Sequence, residues 1–200
     1  MKQATTRMLF SYWDGLRGER AAPERGEIEP GEIRHILADT FILELDPDRT
    51  ATIRLAGTRF CALFGGELKG RRLESLWPAQ AVREVRRSLD IVVDETAGVV
   101  AGLHGDTAGG HGLDLELLLL PLRHRGKPHV RMLGALAPAA APAWLGLEPL
   151  TGVTTTSLRV IWPSSREAAA AAGGSGAGFS SYRVALEGGR RFVVHQGGRT

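Results

Sequence analysis

Residues 57–78, GTRFCALFGGELKGRRLESLWP, decide how the whole chain is read. Gly65-Gly66 and Gly70 punctuate two short apolar turns, Thr58–Phe64 and Arg71–Leu76. Glycine serves where a chain must take positive φ or stop a helix abruptly. The stretch is therefore expected to be a tightly wound crossover of short helices packed on a sheet. Just before it, Thr40–Leu45 and Ala51–Ala56 alternate with period two around Asp46-Pro47-Asp48-Arg49, which predicts a hairpin. Its inward residues are expected to be Phe41, Leu43, Leu45, Ile53 and Leu55, with Thr52 and Arg54 outward.

Just after it, Trp77-Pro78 opens a helix running from Ala79 to about Asp94, because the residue before proline is pushed out of helical space. Val82, Val85, Leu89, Val92 and Val93 fall on one stripe, and Arg83, Arg87, Asp90 and Asp94 face away. Strand patterns follow at Val99–His104, Leu113–Leu122 and His129–Leu136, with a short last one at Leu158–Trp162. The turns between them are Gly109–Gly112 and the basic loop Arg123–Pro128. The unbroken Leu117–Leu120 run predicts a central strand covered on both faces. Strands at both ends and helices in the middle indicate an α+β antiparallel sheet, not repeated βαβ units.

Upstream, residues 7–20 are amphipathic, with Leu9, Trp13 and Leu16 on one stripe. Gly15 and Gly18 weaken that helix, so it depends on tertiary contact or on a partner. Leu9, Trp13 and Leu16 thus either cap the chain's own core or form a partner or dimer surface. The connector AAPERGEIEPGEI places Pro30 in the first turn of a short helix through Leu37. The division expected is a helical cap and connector over 1–37, one domain over 38–162, an Ala/Gly/Ser-rich linker over 163–181 and a tail or marginal hairpin over 182–200.

Composition narrows the function classes. A hydrophobic fraction of 43% is that of a globular chain, and a net charge of +3 from 25 basic and 22 acidic residues is modest. The basic residues are interleaved with acids, so a pI near 9.5 gives no argument for nucleic acid. Cys61 is the one cysteine, which excludes an intramolecular disulfide and a cysteine zinc cluster. No apolar run is long enough for a membrane span, and no signal-peptide pattern opens the sequence, so a cytoplasmic protein is expected.

This order of elements, with the residues AGTRFCALFGGELKGRRLESLWP, resembles the PAS domain. Over roughly residues 8–162 it is similar to the single-PAS proteins of proteobacteria grouped as PAS_5 or DUF1457. The matching residues are Tyr12-Trp13, Leu16-Arg17, the Pro30 connector, Leu55-Ala56-Gly57-Thr58, Phe64-Gly65, Glu67-Leu68, Gly70 and Trp77. The resemblance implies a five-stranded antiparallel sheet with short helices and one long helix on one face, preceded by the N-terminal helix. It also implies a signalling role through protein contacts, often as a dimer.

Two cofactor types can be tested on the residues. Flavin-binding LOV domains resemble one another in a GRNCRFLQ stretch, and here Gly70–Trp77 puts Leu73 where the reactive cysteine would stand. Oxygen-sensing haem domains of this type draw a histidine from the long helix, and Ala79–Asp94 has none. Neither flavin nor haem is therefore expected, and the cofactor is otherwise open. A pocket between the long helix and the sheet would be lined by Leu43, Phe60, Leu63, Phe64, Leu76, Val85, Leu89, Leu117 and Leu119. The alternative is that these nine residues simply fill a close-packed core.

His104, Asp106, His111 and Asp114 lack the spacing of a helical zinc motif and read as loop polar residues, and no nucleophile elbow or P-loop is present. No catalytic and no metal residue is expected. The function expected is that of a non-enzymatic regulatory module contacting a histidine kinase or another regulator, with homodimerisation as a further option. The alternative is a sensor of an apolar or heterocyclic small molecule.

Overall fold

The computed structural model describes residues 1–124, 127–162 and 181–183. Helix α1 (Ala4–Arg17) leads into a connector, then strands β1 (Thr40–Leu45) and β2 (Ala51–Ala56). Helices α2 (Thr58–Leu63) and α3 (Val82–Glu95) follow, with 3-10 turns at Leu73–Leu76 and Ala79–Ala81 between them. The remaining strands are β3 (Gly98–Thr107), β4 (Gly112–His124), β5 (Lys127–Pro138), β6 (Leu150–Ile161) and β7 (Ser181–Arg183). They form one sheet in the order β2-β1-β5-β4-β3-β6-β7, with antiparallel neighbours throughout. The five-stranded sheet that the resemblance implies is β2-β1-β5-β4-β3; β6, which contains the short last strand expected, and β7 lie beyond β3.

The sheet is packed on both faces. On the inner face α2, α3 and the 3-10 turns cover Phe41, Leu43, Ile53, Leu117, Leu119 and Val160. On the outer face Leu9, Phe10 and Trp13 of α1 and Ala22, Ile28, Ile33 and Ile36 of the connector cover Ile42, Leu118, Leu120, Leu133 and Ala135. The Leu117–Leu120 run therefore sends alternate leucines into two separate cores, as a doubly covered strand must.

The glycines of the crossover act as their positions suggested: Gly65 and Gly70 take φ of 73° and 84°. Gly57 has a different role. A Cβ there would lie 2.1 Å from the Leu37 carbonyl oxygen, so only glycine lets β2 turn into α2 against the connector.

Three details differ from the sequence reading. Leu55 is half exposed on the outer side, because the β1–β2 register slips by one residue between Ile42 and Leu43 and the bulge reverses the alternation. The connector after Pro30 forms successive turns and a 3-10 turn at Leu37–Asp39 in place of a helix. The last strand of the domain begins at Leu150, eight residues before Leu158. Its threonines 154–156 suit a half-exposed strand but leave no apolar alternation to read. The expected linker and tail lie outside the described residues, except for β7.

Candidate functional site

The nine residues expected to line an inner pocket all lie in the inner core. Eight are buried, and Phe64 packs at the margin. Phe60 stacks on Phe41 at 4.7 Å between ring centroids and meets Phe64 edge-on at 5.9 Å. Leu73 is buried among them. Cys61 is half-buried, its Sγ 3.7 Å from Glu67 Oε1, and burial pushes its thiol pKa up, so it is not a reactive thiolate.

Of the helix residues expected to cap the core or meet a partner, Leu9 and Trp13 are buried on the outer face of the sheet and Leu16 is half-buried beside them. A surface made of Leu9 and Trp13 is therefore not exposed; these two side chains serve the chain's own second core. The exposed stripe of α1 runs instead through Arg7, Met8, Ser11 and Gly15.

What ties α1 to the sheet is polar, and the sequence reading passed over it. The Glu116 carboxylate of β4 accepts the backbone N–H of Lys2 (2.7 Å) and Gln3 (3.0 Å) and the Thr6 hydroxyl. These are N–H groups that the start of the helix cannot satisfy internally. Burial raises the Glu116 pKa, but the Thr6 hydroxyl and the two N–H groups outweigh it and hold the carboxyl below its ordinary range. Two turns further on, Trp13 Nε1 donates to the carbonyl of Pro121 at 2.8 Å.

A second carboxylate, Asp39, lies just before β1 and is buried. Its Oδ2 accepts the Thr5 hydroxyl at 3.3 Å and Arg59 of α2 at 2.6 Å, so it links α1 to the crossover. Its Oδ1 has no hydrogen-bond partner among the described residues. Burial raises the Asp39 pKa despite Arg59 and Thr5. The sequence signal for Glu116 was available: it is the acid next to the leucine run in LDLELLLL, in phase with the outer-face leucines. Asp39 gave none, because its burial depends on where the connector goes.

Of the four polar residues expected in a loop only His111 lies between strands, since His104 and Asp106 are on β3 and Asp114 on β4, and the two histidines form separate pairs. His104 Nδ1 lies 2.6 Å from Asp114 Oδ1, and that hydrogen bond raises the His104 pKa. His111 stacks on Trp144, with ring centroids 5.6 Å apart, and its Nδ1 lies 2.9 Å from Glu148 Oε2. Among the described residues, no three His, Cys, Asp or Glu side chains converge as a metal site.

The outer face also carries an open cleft of about 460 Å³ beyond the start of α1. Lys2 and Gln3 border it, Val100 and Gly102 of β3 and Glu116 of β4 line it, and Thr156, Ser157 and Arg159 of β6 complete it. None of the nine inner-core residues touches it.

Known proteins can now be set beside this geometry. No curated protein matches the sequence. A light-oxygen-voltage (LOV) protein of Rhodobacter sphaeroides aligns at 18% identity and a TM-score of 0.41, over 53% of this chain and 61% of its own. A structure described as a flavin analogue in a light-oxygen-voltage domain aligns at 19% identity and a TM-score of 0.43, over 55% and 83%. An RNA-binding light-oxygen-voltage receptor aligns at 17% identity and a TM-score of 0.44, over 62% and 37%. The match thus spans less than two thirds of the first and third of these structures. The sequence profile of the PAS domain matches residues 1–137, from the α1 anchor through the five core strands. The chain belongs to the PAS domain family.

Proposed function

We propose that this PAS protein, a sensory module by family, is non-enzymatic and gives its output by contact with another signalling protein, such as a histidine kinase or a second regulator. The observation that carries this reading is the two-sided α1. Its inner stripe is fixed to the sheet by Leu9, Trp13 and the Glu116 anchor. Its outer stripe of Arg7, Met8, Ser11 and Gly15 is exposed, with Met8 39% accessible. Ser11 and Gly15 are small enough to let a partner helix approach closely. A rearrangement inside the domain that reaches Glu116 or Asp39 would alter how this stripe is presented.

The test is affinity capture of the full chain from its own host, beside the variants Ser11→Trp and Gly15→Arg. Recovery of a signalling protein, lost in both variants at unchanged melting temperature, supports the reading. A captured second copy of the chain would make the contact a homodimer. Recovery of no partner, with no self-association in sedimentation, overturns it.

A further inference from the structure

The cleft on the outer face has the build of a small-molecule site. In register, Gly102 of β3 stands between Glu116 of β4 and Ser157 of β6. Neighbouring strands lie about 4.8 Å apart, so a missing side chain on the middle strand leaves a depression about two strand spacings wide. The β6 hydroxyls lean over it. A Cβ on Gly102 would lie 2.6 Å from Ser157 Oγ and 3.0 Å from Thr156 Oγ1. Gly102 is therefore what leaves room for those hydroxyls above the floor.

The charges around the cleft are unequally engaged. Its two acids are both occupied: Glu116 holds the start of α1, and Asp114 holds His104. Its basic side chains, Lys2 and Arg159, form no ion pair with any described residue, and the hydroxyls of Ser157 and Thr156 have no hydrogen-bond partner among the described residues. Val100 and Ala139 supply apolar wall. Unspent guanidinium, ammonium and hydroxyl donors around a glycine floor suit an oxyanion, and the guanidinium can meet a carboxylate or phosphate with two parallel hydrogen bonds.

We infer that this cleft binds a small anionic metabolite, with its carboxylate or phosphate on Arg159, Ser157 and Thr156 and its body over Gly102 and Val100. The site is separate from the partner contact proposed above and from the inner core. Because Lys2 and Gln3 border the cleft and are also held by Glu116, an occupant bears directly on the first turn of α1.

The probes are inorganic phosphate and, in parallel, acetate, succinate and citrate, titrated into the full chain and followed by amide NMR at Gly102, Ser157 and Arg159. The expected result is a saturable shift at these three amides with at least one probe, weakened roughly 10–100-fold in Arg159→Gln. Gly102→Ala should weaken it too without lowering the melting temperature. Response to phosphate alone would identify a phosphate ester as the natural class, and response to the carboxylates alone an organic acid. Absence of a saturable shift with all four probes overturns the inference. So does binding that is unchanged in both variants, whatever the capture experiment finds.

Discussion

Glu116 is one carboxylate on which the placement of a whole helix depends. Its folded pKa is held below its ordinary value, so it stabilises the fold above the ordinary carboxylate range, and that contribution is lost as pH falls through the folded pKa. Glu116→Gln should cost about 1–3 kcal/mol at neutral pH, since one side chain serves three donors. Between about pH 5 and pH 3 the gap between variant and wild type should close, read as converging urea midpoints. Parallel curves across that range would show that Glu116 is not the anchor. Asp39 has the opposite sign: its raised pKa means that ionisation opposes folding, so its contribution is lost as pH rises through the folded value. At this scale the sequence was partly legible. Gly65, Gly70 and Trp77-Pro78 declared their roles through backbone chemistry, whereas Asp39 depends on contacts that no local pattern encodes.

α3 was the most legible element, because a 3.6-residue stripe is written wholly within fourteen residues. Val85, Leu89 and Val92 are buried against the sheet as read. Apart from Glu84, an acid in the first turn, its charges do nothing for the helix itself. Arg83, Arg86 and Arg87 sit in the N-terminal half and Asp90, Asp94 and Glu95 in the C-terminal half, against the helix dipole. The C-terminal acids are met by Arg49 from the β1–β2 turn, at 3.0 Å to Asp90 and 2.7 Å to Asp94. α3 is thus held by packing, and Val85→Asp, or Leu117→Asp on the strand beneath, should cost more than about 3 kcal/mol and unfold the domain. Unchanged thermal melting in either variant would mean that the face assignment is wrong. The strand β6 was less legible for the converse reason: its Thr-rich exposed positions carry no periodic signal. The bulge in β2 was not legible at all, since a register slip is fixed by the partner strand.

For the whole molecule, the sequence conveyed the α+β class and the succession of elements, but not the division of labour between the two faces of the sheet. Leu117 and Leu119 were read on the α3 side, where they are found, but nothing in LLLL says that Leu118 and Leu120 meet α1 and the connector; that follows only from the second core. Likewise, the stripe of Leu9 and Trp13 read as a cap on the chain's own core or as a partner surface, and the outer face of the sheet receives both side chains. Beyond residue 162, the one described contact with the domain is β7, paired with β6 at residues 159–161. Removing residues 164–200 should therefore shift the thermal midpoint by less than about 4 °C, because the two cores of the described residues are built from positions up to Trp162. A larger loss would make the tail part of the folded unit.

The bond from Trp13 to Pro121 joins residues 108 positions apart in the chain. On the ribosome, α1 is made well before its docking surface on β4 and β5, so for several seconds of synthesis its apolar stripe has nothing of its own to cover. A short helix weakened by Gly15 holds little structure alone. α1 is then a late arrival in folding although it leads the chain, and burial of Trp13 reports the closing step. Until that step, the nascent protein presents Leu9, Phe10 and Trp13 to chaperones, and any mutation that slows pairing of β4 with β5 lengthens that exposure.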